Sequence, residues 1–203
     1  MSEEMERGGV IVLNGFPGVG KLTIARTLQS KFPRETTRLV DNHLLIDPAE
    51  AIAPGRGNAH QSLRAGLRQV AFEGLVKQLA KKPKLQIIMT GCLAGNHEGI
   101  AVLIEHIEIA QKSNVPFYLV DVVCDRDEHI SRFSNPMRYA DGKTKLRDDA
   151  VLHKVLDENR LCDPKDLPEQ VQNYVGRRHL VLNTTGLPPK DSATWILEFM
   201  RMC

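Results

Sequence analysis

Gly15-Phe16-Pro17-Gly18-Val19-Gly20-Lys21-Leu22-Thr23 lies between the apolar run Val10-Ile11-Val12-Leu13 and a helix-like segment from Ile24 to Phe32. The spacing of Gly15, Gly20 and Lys21 is that of a phosphate-binding loop. In such a loop, glycines let backbone N–H groups approach phosphate oxygens and the lysine reaches the outer phosphates. A buried strand in front fixes the base of the loop. A helix behind it turns unpaired N–H groups and the positive end of its dipole toward the anion. An ordinary glycine-rich turn has no need of strand, spacing, lysine and helix together, so Gly15 to Thr23 is read as a nucleotide cradle. One position departs from the usual pattern. A Ser or Thr magnesium ligand normally follows the lysine, whereas Leu22 stands here and Thr23 comes next.

Composition bounds the rest. The chain has 203 residues, 42% hydrophobic and 26% charged, enough for one domain with a sizeable core and no disulfide or metal staples. A net charge of +2 is far from the basic footprint of a dedicated nucleic-acid binder, although a local basic site stays compatible with it. The four cysteines, Cys92, Cys124, Cys162 and Cys203, have neither zinc-ligand spacing nor the density of a secreted framework, and read as free thiols. Residues 1–9 are polar and read as a flexible N-terminus. They lack the apolar core of a signal peptide, and no run of about eighteen apolar residues follows, so a soluble cytoplasmic protein without a membrane partner is expected.

Strand and helix patterns alternate along the chain. Val10 to Asn14 reads as the first strand, Lys21 to Lys31 as a helix and Thr36 to Asp41 as a second strand. Prolines and glycines at Asp47-Pro48 and Pro54-Gly55-Arg56-Gly57 mark residues 44–58 as loop. Helical spacing resumes over 59–81, a buried strand is expected at 85–90 and a helix at 98–112. A fourth strand is expected at 116–123, and then a helix at 125–133 capped by Asp125. Residues 148–161 are helical in spacing, 162–176 form a looser connection, and 179–182 supply a fifth strand. The last helix carries Trp195, Ile196, Phe199 and Met200 as an apolar stripe, which places Trp195 in the core. Such alternation implies a parallel α/β sheet with ligands at the carboxyl ends of its strands.

Candidate site residues follow from that geometry. Asp41 and His43 fall at the end of the second strand. Asp41 is read as an acid of the site or as a turn-forming residue, and His43 as a substrate contact or a packed histidine. No acid ends the third strand, so the acidic role is filled elsewhere, with Asp41 the obvious replacement, or not at all. Arg64 and Arg68, one helical turn apart, could grip an anionic substrate together or could form a solvated helix flank. Residues 42–82 are therefore taken as the substrate side. Residues 134–147 carry Arg138, Lys143, Lys145 and Arg147 with few apolar residues. They read as an exposed, mobile lid or as a solvated loop. In the lid reading, Arg132 and Arg138 neutralise charge on a moving phosphoryl group.

The loop Gly15 to Thr23, the acid at Asp41, the basic stretch Arg132 to Arg147 and the turn Thr184 to Pro188 occur in an order that resembles the small P-loop kinases. These include the nucleoside monophosphate kinases, shikimate kinase, gluconate kinase, adenylylsulfate kinase and chloramphenicol phosphotransferase. Adenylate kinase and its relatives also have a non-hydroxyl residue after the lysine and a threonine next. The resemblance implies a P-loop NTPase fold, a three-layer α/β/α sandwich around a five-stranded parallel sheet of order 2-3-1-4-5, with a lid after the fourth strand. It implies ATP on Lys21 and the loop backbone, Thr23 at an inner phosphate, Thr185 and Pro188 beside adenine, and Asp41 as a base at the acceptor hydroxyl or an orienter of magnesium-bound water. Mg2+ would be held mainly through phosphates and water, with no dedicated metal ligands, and a small-molecule acceptor would be the other partner.

Three function classes stand at this stage. One is an ATP-dependent phosphotransferase acting on a small-molecule hydroxyl or a nucleoside monophosphate. Another is a polynucleotide or end-processing kinase whose acceptor terminus is held by Arg56, Arg64 and Arg68. The third is a nucleotide-binding regulator or degenerate kinase with little turnover, suggested by Leu22 and the missing acid after the third strand.

Overall fold

The five apolar runs pair into one parallel sheet in a computed structural model that describes residues 7–139 and 142–203. Its strands are β1 Gly9–Asn14, β2 Thr37–Val40, β3 Gln86–Thr90, β4 Phe117–Val123 and β5 His179–Asn183, in the order β2-β3-β1-β4-β5. All four pairings are parallel, with Val10 opposite Ile87 on one side and Phe117 on the other. Every residue of β1 is buried, as the near-continuous apolar run requires of a central strand covered on both faces.

Side-chain alternation along the strands builds two cores. Val10, Val12, Ile87, Met89, Phe117 and Leu119 point to one side, and Ile11, Leu13, Ile88, Val120 and Val122 to the other. The first set packs against α3 Asn58–Lys81, α4 His97–Ser113 and α7 Glu169–Val175 through Phe72, Leu103, Ile107 and Val175. The second packs against α1 Lys21–Gln29 and α8 Pro189–Met202 through Ile24, Leu28, Ile196 and Met200. The result is a three-layer α/β/α sandwich.

Several elements differ from their sequence reading. Residues 44–58 are not all loop, because α2 His43–Ile52 runs through Pro48. Ile46 and Ala49 are buried there, and their packing outweighs the hydrogen bond that a proline inside a helix forfeits. The connection after Cys162 contains a 3-10 turn at Pro164–Asp166 and then α7. Asp125 occupies the N-cap position of α5 Arg126–Phe133, but its side chain makes no capping bond. Instead its backbone N–H donates to Thr185 Oγ1 at 2.8 Å. The capping chemistry appears at α6 Asp149–Glu158, where the Asp148 carboxylate accepts from the N–H groups of Ala150 and Val151.

Trp195 is 58% exposed and so is not core, whereas Ile196, Phe199 and Met200 are buried. At about 100° per residue, Trp195 stands at the flank of the arc that α8 presents to the sheet. At the chain start, β1 begins at Gly9 and the Gly8 N–H donates to Pro83 O, so this part of residues 1–9 is tied down. Residues 1–6 of that stretch, and 140–141 of the lid segment, lie outside the described residues.

Candidate active site

The stretch Gly15 to Gly20 connects the carboxyl end of β1 to the first turn of α1. Gly15 must be glycine because a Cβ there would sit 2.6 Å from the carbonyl oxygen of Val122 on the adjacent strand. Gly20 enters α1 at φ 106, a left-handed conformation that favours glycine. It contributes no side-chain cap, so the first-turn N–H groups of α1 are left for a ligand. Lys21 folds back along the loop, its Nζ donating to Phe16 O at 2.9 Å. Burial, with a smaller contribution from the charge of Arg138, lowers its pKa to about 8, against the raising influence of Cys92 and Asp41. A buried ammonium left short of countercharge is suited to phosphate.

α5 braces the loop from outside. His129 Nε2–H donates to Pro17 O at 2.9 Å, and burial holds its imidazole pKa below the usual range. Arg132 is bound more extensively. Its Nη1 donates to Val19 O at 2.9 Å and to Thr184 Oγ1 at 2.8 Å, and its Nη2 donates to Thr184 O at 2.6 Å and pairs with Glu128. One guanidinium therefore joins α5, the phosphate loop and the turn after β5. Arg138 packs over the Phe133 ring at 4.3 Å and donates to Leu146 O at 2.7 Å.

A cavity of about 860 Å³ opens over the loop. Its walls bring Gly18 to Thr23 together with Asp41, His43, Arg64, Arg132 and Arg138. Arg68 goes elsewhere. It turns to α4, where Nη2 donates to Glu105 Oε1 at 3.0 Å and Nε makes a second bond to the same carboxylate. Beyond β5, the wall is formed by Thr184, Leu187, Pro189 and Ser192, neighbours of Thr185 and Pro188. Thr185 itself accepts from Asp125 and donates from its N–H to Asn183 Oδ1.

Asp41 is buried at the end of β2, beside the end of β3. Thr90 Oγ1 donates to its Oδ1 at 2.7 Å and accepts from the Asn42 N–H at 3.0 Å. Burial pushes the carboxyl upward. Hydrogen bonds from Lys143 and Thr90, with the charges of Lys143 and His43, outweigh that push and hold it below the usual carboxylate range. His43 Nδ1 lies 3.2 Å from Asp47 Oδ1. The residue that ends β3 is thus a hydroxyl, Thr90, which serves the acid on the neighbouring strand.

The basic segment is less exposed than its composition suggests. Pro136–Tyr139 forms a 3-10 turn, and residues 143–146 are half-buried against the cavity. Lys143 makes an ion pair with Asp41 that the sequence did not reveal. A second unforeseen feature is Asn14, whose Oδ1 accepts from the Leu93 N–H at 2.7 Å while Nδ2 donates to Asp121 Oδ1 at 2.9 Å. It fixes the segment after β3, which carries Cys92, to the base of the phosphate loop.

A search with the whole structure finds many similar folds. A provisionally named kinase of Chloroflexus aurantiacus superposes with a TM-score of 0.65, at 15% identity over 98% of each chain. APS kinase of Mycobacterium tuberculosis, solved with AMPPNP and APS, gives 0.57 at 16% identity over 96% of this chain and 98% of that one. Shikimate kinase of Acinetobacter baumannii, solved with shikimate, gives 0.53 at 14% identity over 98% and 95%. The chain has the fold of the small P-loop kinases. No family model matches the sequence, and no curated protein does. At these identities the likeness extends to the P-loop kinase fold and its 2-3-1-4-5 sheet. The roles of individual residues rest on the geometry above.

Proposed function

We propose that the protein is an ATP-dependent phosphotransferase that moves the γ-phosphoryl group of ATP to a hydroxyl of a small molecule. The observation that carries this reading is the shared cavity. A phosphate cradle with Lys21 faces a buried, ionised Asp41 across it, and the space between is enclosed by Arg64, Arg132 and Arg138. Phosphoryl transfer asks little covalent chemistry of a protein, chiefly alignment and neutralisation of charge on the moving group.

In this reading Gly15 to Thr23 hold the ATP phosphates and Lys21 stands at the outer ones. Asp41 accepts the proton of the attacking hydroxyl or orients magnesium-bound water. Arg64 and His43 face the acceptor, and Thr184 to Pro189 border adenine. Magnesium reaches such a site on the nucleotide and neutralises phosphate charge. Among the described residues no three His, Cys, Asp or Glu side chains converge on a metal position, so Asp41 and Thr23 would hold the ion only as supplements to phosphates and water. Among the described residues no helix is long and apolar enough to cross a membrane. The proposed setting for this chemistry is the cytoplasm. Leu22 favours one rival, a nucleotide-binding regulator with little turnover.

The test is a thermal-shift screen with ATP, followed by ATP consumption against a panel of small alcohols and nucleoside monophosphates, with Lys21→Ala as control. A bound ligand at a hundredfold its Kd adds about 2.7 kcal/mol, a shift easily seen. ATP-induced stabilisation and acceptor-dependent consumption, both absent from Lys21→Ala, are expected. Stabilisation without consumption across the panel would favour the regulator.

A further inference from the structure

Both carboxylate oxygens of Asp41 are engaged, and by different parts of the chain. Thr90 Oγ1 donates to Oδ1 at 2.7 Å, a bond between neighbouring strand ends. Oδ2 receives Nζ of Lys143, which arrives 102 residues later from the segment between α5 and α6. That segment is pinned around the lysine. The Thr144 N–H donates to Asp47 Oδ1 at 3.2 Å, Leu146 O accepts from Arg138 Nη1 at 2.7 Å, and Lys145 Nζ donates to Arg138 O. The paired side chains are 19% and 9% exposed, so solvent screens their attraction poorly.

A carboxylate that can take a proton from an alcohol can take one from water, the most abundant nucleophile present. In that side reaction the water oxygen bonds to the γ-phosphorus. The bond from phosphorus to the β–γ bridging oxygen breaks, ADP leaves with the electron pair, and the water proton passes through Asp41 Oδ2 to solvent. We infer that Lys143 is a specificity-determining residue, whose ammonium covers Asp41 Oδ2 and withholds it from water until an acceptor anchored elsewhere in the cavity displaces it. The inference rests on the phosphotransferase reading above.

The cavity supplies the anchors that make displacement selective. Arg56, Arg64 and His43 line it on the Asp41 side, and Arg64 Nε is buried without a hydrogen-bond partner. An acceptor held there brings binding energy from remote groups to offset separation of the ion pair, and water brings none. A lysine that merely stabilised the transferring phosphoryl group would have the opposite signature, because its removal would slow every transfer, including that to water.

The experiment needs no knowledge of the acceptor. Phosphate release from Mg-ATP in the absence of acceptor is compared for the full chain, Lys143→Met, Lys143→Arg and the Lys143→Met/Asp41→Asn pair. Lys143→Met is expected to raise release on the order of tenfold, within what a freed general base contributes. Lys143→Arg should stay near the parent, and adding Asp41→Asn should cancel the rise. Unchanged or slower release in Lys143→Met, with its ATP-induced thermal shift intact, overturns the guard. Absence of any ATP-induced shift in the parent protein removes the kinase reading and the guard with it. Should Lys143→Met fail to fold, Lys143→Gln carries the same comparison.

Discussion

In the proposed reading Asp41 serves proton chemistry and Lys21 phosphate binding, and each has a substitution that isolates its charge. Asp41→Asn keeps an acceptor for Thr90 at Oδ1 while removing the negative charge. Turnover should fall on the order of a hundredfold with ATP affinity near that of the parent, the separation expected of a group acting mainly in the transition state. Turnover within a few-fold would reduce Asp41 to a turn former. Lys21 makes a different statement, about pH. Burial lowers its pKa from 10.5 to about 8, so between those values the unfolded chain binds the proton that the folded protein has lost. Stability without nucleotide should therefore rise with pH across that window, and Lys21→Met should flatten the rise in urea titrations. Both residues were visible in the sequence, one from motif spacing and the other from its place at a strand end. Their partners were not. Lys143 is one of four cations in a polar stretch, and only the fold brings it to Asp41. Arg68 looked equivalent to Arg64 until α4 placed Glu105 beside it.

At the scale of elements, α5 acts as a brace. Arg132 was read as a lid cation from its position after the fourth strand, and its guanidinium lines the cavity while bonded to Val19, Thr184 and Glu128. Arg132→Ala removes the guanidinium bonds to Val19, Thr184 and Glu128 and should cost about 2 kcal/mol of stability, the range for hydrogen bonds to a charged group. Denaturant unfolding checks this, and a loss of ATP affinity should accompany it because the loop carbonyl at Val19 is released. Helix α2 shows where pattern reading stops. Pro48 and the glycines after it signal loop, while the tertiary burial of Ile46 and Ala49 is invisible in a local window. The same limit applies to Trp195, since periodicity locates a stripe but not which flank of it the sheet covers.

For the whole molecule, the strand order sets a hierarchy of stability. β1 lies between β3 and β4, and β2 forms one edge. Amides of residues 10–13 should exchange only with global unfolding, and those of 37–40 should open at lower free energy, which native-state hydrogen exchange resolves. The alternation of strand and helix made this architecture legible from sequence, and the resemblance to P-loop kinases supplied the strand order. The stretch Gly15 to Thr23 follows the central strand, and Asp41 follows the edge strand. Exposed positions around β2, α2 and the start of α3 lie at the edge of the sheet, away from the pairing of β1 with β3 and β4. If the proposed phosphotransferase reading holds, exchanging residues 41–64 between proteins of this fold is expected to change the acceptor while the donor stays the same, which acceptor-dependent ATP consumption by the exchanged protein checks.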